Sequence, residues 1–259
     1  MTNSKFSTEE AKKRLLSEKR HDFESIRLLV EVLRGPEGCA WDRIQTHESI
    51  RSDIIEETYE VVEAIDREDP ELLREELGDV FFQVLFHSRI EEETGRFSID
   101  DVINDITEKM IRRHPHVFGD VLVKNAEEVL DNWEANKVKE KSRETLRDIL
   151  DAVPKQYPAL MRAKKVVKKA RKNASMIPGE AAGRELPAAE ESINHIIELA
   201  SKAGTADQDE RDRIAAEMIY AAVLMSSDGA DLERDIARMT DRLIDDVAGK
   251  KEKGKTDET

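Results

Sequence analysis

Two neighbouring amphipathic segments of this chain place acids in the middle of their own apolar stripes, which limits what it can fold into. In residues 52–65, "SDIIEETYEVVEAI", a helical period predicts that Ile50, Ile54, Val61 and Ile65 share one face. Glu57 falls three residues after Ile54 and four before Val61, and Glu60 follows one turn on. The next segment, "PELLREELGDVFFQVLFH", repeats the pattern. Glu76 sits among Leu73, Leu77 and Val80, with Asp79 at the edge of the stripe. Each segment therefore carries an acid pair at i, i+3, and antiparallel packing of the two would let four carboxylates converge.

Composition sets the fold class around them. Of 259 residues, 38 % are charged and only 5 % aromatic, with 11 Gly and 7 Pro, which favours an all-α bundle over a sheet protein. The formal charge of −15 argues against stable nucleic-acid or membrane-surface binding while leaving room for a small phosphate site. A single cysteine, Cys39, excludes an internal disulfide and suits a reducing cytosol. The charged start "MTNSKFSTEEAKKRLL" is not a secretory signal, and no apolar run approaches the ~20 residues of a membrane span. A cytoplasmic location is expected.

"STEE" at 7–10 is a capping-box pattern that predicts an amphipathic helix running to Gly35. A loop follows, with Thr46 as the candidate N-cap of the first acid-bearing helix. Asp69 and Pro70 begin the second, which runs to Gly95, and "SIDD" opens another that stops near "HPH". A helix through "AEEVLDNWEANKVKEK" ends before Pro154 and Pro158. The basic run "ALMRAKKVVKKARK" reads as a solvated or docked helix face. Further helices are expected over about 188–204, 208–227 and 230–248.

Four clustered acids repel one another, and burying each ion costs several kcal/mol unless something compensates. Hard divalent cations do so, and oxygen-only ligands favour Mg²⁺ or Mn²⁺ over zinc. The competing reading is solvated acids on a chain with 57 Asp and Glu; two pairs on adjacent helices, both interrupting apolar stripes, weigh against it. A di-iron bundle needs inward Glu-x-x-His pairs, and the one such spacing, Glu18–His21, is remote from these acids. The histidines His47, His114 and His116 read as turn or helix-start residues.

"EETYE", a gap and "ELGD" resemble the EExxE…ExxD pattern of the all-α nucleoside triphosphate pyrophosphohydrolases, and of MazG in particular. "GCAWDRIQTHESI", "EKMIRRHPHVF", "NWEANK" and "PALMRAKK" resemble MazG segments in the same order, so the likeness covers roughly residues 22–172. It implies that Glu57, Glu60, Glu76 and Asp79 bind Mg²⁺, with Mn²⁺ as a substitute. Glu56 would join the metal shell or orient water, and Glu56 and Glu60 are alternative general bases. Lys109, Arg113 and the neighbouring Arg112 would hold the triphosphate, and Trp133 and Lys137 would close over the nucleotide. The expected reaction is NTP + H₂O → NMP + PPi, acting on nucleoside triphosphates in a homodimer. A regulator that binds nucleotide without turnover, or a helical scaffold, is the alternative.

The second half resembles a degenerate repeat. "EESIN" at 190–194 stands where EExxE would, with Asn194 for the last acid. "AEMIYAAVLMS" parallels "EELGDVFFQVLFH", with Tyr220 in the place of Asp79, and "TDRLIDDV" replaces the basic pair with Asp245 and Asp246. The expected organisation is a helical extension (1–21), a catalytic domain (22–150), a basic helix and linker (151–187), a degenerate helical domain (188–248) and a disordered tail (249–259).

Overall fold

The computed structural model describes residues 7–126, 128–129, 133, 145–173, 186–227 and 229–248. Among these, every regular element is helical, as the composition predicts. Among the described residues, no helix is long and apolar enough to cross a membrane. The chain divides into two compact units, Met1–Leu130 and Asp131–Thr259.

The first unit opens with α1 (Thr8–Ser17), capped as expected by reciprocal bonds between Ser7 and Glu10. The single helix expected to run to Gly35 is instead two. Asp22 interrupts it because its carboxylate accepts from the Ser25 N–H at 2.9 Å, starting α2 (Phe23–Arg34). After α2 the chain folds back tightly on the helix end. A Cβ on Gly38 would meet the carbonyl oxygens of Val32 and Leu33 at 2.2 Å, so only glycine fits there.

A 3₁₀ turn (Asp42–Ile44) leads to a second correction. Thr46 does not cap the acid-bearing helix. It exchanges hydrogen bonds with Ser49 in a preceding turn, and α3 (Asp53–Asp66) begins seven residues later, at Asp53. Asp69 caps α4 (Pro70–Glu93) by accepting from the N–H groups of Glu71 and Leu72. A Ser98–Asp101 capping box starts α5 (Ile99–Arg113), and Pro115 begins the one-turn α6 (Pro115–Phe118).

The core of this unit joins Val30 from α2, Ile50, the α4 residues Leu85, Phe86 and Ile90, and Ile99 from α5. Phe86 is 3 % exposed, and its truncation to alanine would cost about 3–5 kcal/mol. Arg34 fastens three segments at one edge. It forms a two-pronged pair with Glu93 (2.9 and 2.8 Å), donates to the Asp42 and Gln45 carbonyls, and lies 5.0 Å from the Phe86 ring centroid.

In the second unit, α7 (Leu146–Asp151) and α8 (Ala159–Lys172) precede α9 (Ala189–Ala203), α10 (Gln208–Met225) and α11 (Leu232–Ala248). The basic run forms α8 and docks rather than standing free. Val167 is buried with Val223 and Leu224, while the Arg171 guanidinium donates to the Leu224 and Ser226 carbonyls at the end of α10. A separate cluster of Leu199, Ala206 and Ile214 closes the turn between α9 and α10.

Candidate metal centre

The site follows from the antiparallel pairing of α3 with α4, which five pairwise interactions along the helices establish. His47, ahead of α3, meets His87 and Glu91; Asp53 acts on His87; Glu57 acts on Asp79 and Glu60 on Glu76. Ascending numbers on one element meet descending numbers on the other. The inward face of α3 is Ile54, Glu57, Val61 and Ala64, the last only 1 % exposed. Ile65, expected on that face, is 56 % exposed, because it lies about 80° around the helix from Glu57 whereas Ala64 lies about 20° away.

Ligand oxygens of Glu57, Glu76 and Asp79 all lie within 4.8 Å of one another. Glu76 is buried, Glu57 half-buried and Asp79 open to solvent. Glu60 stands outside that mutual set, yet its carboxyl is within hydrogen-bonding reach of both Glu57 and Glu76. Burial first, then the charge of Asp79 and the contacts with Glu60 and Glu76, push the Glu57 carboxyl up to about 7. Burial and the surrounding acids raise Glu76 as well.

Among the described residues, no Lys, Arg or His pairs with Glu57, Glu76 or Asp79. The three acids at the C-terminal end of α4, Glu91, Glu92 and Glu93, each have a basic partner. A set of convergent carboxylates offering oxygen alone fits a hard divalent metal ion.

The other residues singled out from the sequence are placed as follows. Glu56 is exposed on α3. Lys109 is half-buried, Arg112 exposed and Arg113 buried in the last turns of α5, which packs on α4 through Ile99 and Val102. Trp133 is half-buried; Lys137 lies outside the described residues. His114 is a turn residue, its Nδ1 2.6 Å from the Met110 carbonyl oxygen.

One group escaped the sequence reading. His47 bridges two α4 side chains: its Nε2 is 2.5 Å from Glu91 Oε1, and its Nδ1 is 2.7 Å from His87 Nδ1, with the two rings nearly parallel at 10°. Glu91, buried and paired with Arg96, can only accept. His47 Nε2–H therefore donates to it, and the two Nδ1 atoms share one proton between the rings. Burial and then His47 hold His87 below the usual imidazole range, against the pull of Asp53. Forty residues separate the two rings in sequence, and no local spacing announces the contact.

Comparison with known proteins matches residues 45–118, which include all four acids, to the MazG nucleotide pyrophosphohydrolase domain. The chain carries a MazG domain. Similar proteins include the nucleoside triphosphate pyrophosphohydrolase of Escherichia coli K12, 46 % identical over 142 residues, or 54 % of each chain. The nucleoside triphosphate pyrophosphohydrolase/pyrophosphatase MazG of Thermotoga maritima is 45 % identical over 155 residues, covering 60 % of this chain and 57 % of that protein. Bacillus subtilis YabN is 53 % identical over 148 residues, 57 % of this chain but 30 % of that protein. This chain thus spans about half or less of the length of these relatives, and its MazG domain lies wholly within the first compact unit.

Proposed function

We propose that this protein is a Mg²⁺-dependent nucleoside triphosphate pyrophosphohydrolase, converting NTP and water to NMP and PPi, with the chemistry in residues 22–150. The observation that carries the reading is the convergence of Glu57, Glu76 and Asp79, with no basic partner among the described residues, inside a MazG domain. Glu57, Glu60, Glu76 and Asp79 hold the ion. Bound there, Mg²⁺ or Mn²⁺ supplies positive charge for phosphate oxygens and makes water a better nucleophile at neutral pH.

The remaining roles fall to the other residues that the MazG resemblance singles out. α5 packs into the core through its first turn, at Ile99 and Val102, and carries Lys109, Arg112 and Arg113 in its last turns. Their cationic donors take the triphosphate and stabilise the leaving pyrophosphate. Glu56 and Glu60 are the carboxylates available to take the proton of the attacking water. The MazG resemblance assigns base stacking to Trp133, whose indole offers a flat apolar face, and a cationic contact with the nucleotide to Lys137.

The protein acts in the cytoplasm as a homodimer. Ile55, Tyr59 and Val62 on α3, with Leu77 and Phe81 on α4, are exposed apolar residues that a second copy would cover. Residues 188–248, a degenerate repeat, bind neither metal nor nucleotide. Incubation of the purified protein with Mg²⁺ and a panel of ribo- and deoxynucleoside triphosphates, resolving PPi from Pi, tests the reading. NMP and PPi from wild type but not from folded Glu57→Gln or Asp79→Asn variants is the expected result. No turnover, or equal turnover by the variants, would leave a binding or scaffold role.

A further inference from the structure

The acids do not end the polar seam on α4. Glu76, Asp79, Gln83, His87 and Glu91 succeed one another at spacings of three and then four residues, one per turn along a single face. The acids converge at one end of this line, and His87 and Glu91 are satisfied through His47 at the other. Gln83, between them, is different. It is 9 % exposed, and its amide oxygen is buried with no hydrogen-bond donor among the described residues.

A buried acceptor without a donor is costly, and glutamine brings two polar groups where a methionine of similar length would fill the volume at no such cost. The neighbouring positions Phe82, Val84, Leu85 and Phe86 show that the helix otherwise buries apolar side chains there. Direction then matters. Long side chains on a helix lean toward its N-terminus, over the residues three and four positions back. Gln83 therefore leans toward Val80 and Asp79, the acid end of the seam, and away from His87.

We propose that Gln83 is a positioning residue of the metal centre: its amide oxygen accepts a hydrogen bond from water ordered beside Glu76 and Asp79 when the acids hold their ion. The inference rests on the metal reading of the acids and adds a residue that the acid motif does not contain. Water beside a divalent cation is a strengthened donor and needs an acceptor on its outer side. Partners of this kind fix the orientation of the ligands they touch, and their loss typically costs 10–100-fold in metal affinity or activity. The amide stays unsatisfied in the metal-free protein and is matched in the loaded one, so stability and binding should respond to its removal with opposite signs.

The test uses the full chain and two variants, Gln83→Met and Gln83→Leu, so that a packing fault in one does not decide the outcome. Thermal midpoints are measured in excess chelator, Mn²⁺ affinity by calorimetry, and steady-state kinetics with a nucleoside triphosphate and Mg²⁺. The expected result is a metal-free midpoint raised by about 2–4 °C in at least one variant. The same variant should bind Mn²⁺ about 10–100-fold more weakly and lose kcat rather than raise KM. A metal-free midpoint lowered in both variants would show an ordinary structural amide and overturn the proposal. Unchanged Mn²⁺ affinity in a folded variant would overturn it equally. If wild type binds Mn²⁺ yet hydrolyses no nucleotide, the proposed activity fails while the stability and affinity measurements still decide the role of Gln83.

Discussion

The α3–α4 hairpin and the α9–α10 hairpin each pair two helices joined by a short turn, and the proposed repeat sets Glu191 and Glu217 where the first hairpin has Glu57 and Glu76. Their acids have opposite fates. In the first, Glu76 is buried and a seam of carboxyl, amide and imidazole groups runs between the helices. In the second, Glu191 is exposed and its carboxylate accepts from the Ala188 N–H at 3.2 Å, so it caps its own helix. Glu217 is exposed, its nearest basic neighbour His195 at 4.0 Å, and Tyr220, in the place of Asp79, is 49 % exposed. The contacts that close the second hairpin are apolar, through Leu199, Ala206 and Ile214. An acid at a given helical position becomes a metal-ligand candidate only when its neighbours turn it inward and give it companions, as Glu57 and Asp79 do for Glu76.

The largest expected contrast between the hairpins is in turnover. Glu57→Gln and Asp79→Asn should each lower kcat/KM by about 100-fold or more, while Glu191→Gln and Glu217→Gln change it less than about twofold. Comparable losses from either pair would erase the distinction. Stability gives the next. Glu91→Gln removes the charged acceptor shared by His47 and Arg96 and should cost about 1–3 kcal/mol in chemical denaturation. His195→Ala, on an exposed contact, should stay within about 0.5 kcal/mol.

A pH series sharpens the comparison further. The Glu57 carboxyl is raised from 4.5 to about 7, so its contribution to stability is full at low pH and is lost as pH rises through about 7. The metal-free thermal midpoint should therefore carry a downward component across that range that Glu57→Gln removes and Glu191→Gln retains. His87 works on the other side. Its lowered pKa makes the fold lose stability as pH falls below the usual imidazole range. Because a divalent ion competes with the Glu57 proton, Mn²⁺ affinity should drop by about tenfold per pH unit below 7.

Much of this hairpin can be read from the sequence. The helical period alone turns Glu57 and Glu76 inward, and Asp69–Pro70 marks the start of α4. The faults have physical causes. Ile65 was expected inside because an apolar residue near the end of a stripe attracts the stripe to itself, whereas the small Ala64 occupies the close contact. Thr46 has the chemistry of a cap, but it spends it on a turn with Ser49. His47, His87 and Glu91 form a tertiary contact, invisible to any periodicity, and Gln83 was absorbed into the apolar text "VFFQVLF". The α3–α4 turn adds one more hidden feature, Glu68 in the left-handed region at φ 54°.

The smallest change expected in the first hairpin concerns that turn. Glu68→Gly should stabilise the first hairpin by up to about 1 kcal/mol, measured by denaturation, because glycine accepts the left-handed conformation without a Cβ clash. The second hairpin has no such strain to relieve: Gly204 already sits in its turn, in the ordinary right-handed region at φ −63°.

The polar seam also bears on how the first hairpin comes together. Two smooth apolar helices can slide past each other by a turn, about 5.4 Å, with little change in what they bury. Here a one-turn slip would leave Glu91 without His47 and set acids against the wrong neighbours at every level. The unequal teeth of α4 therefore admit one alignment of α3. A chain that has closed this hairpin correctly has, in the same event, proofread the spacing of its acids.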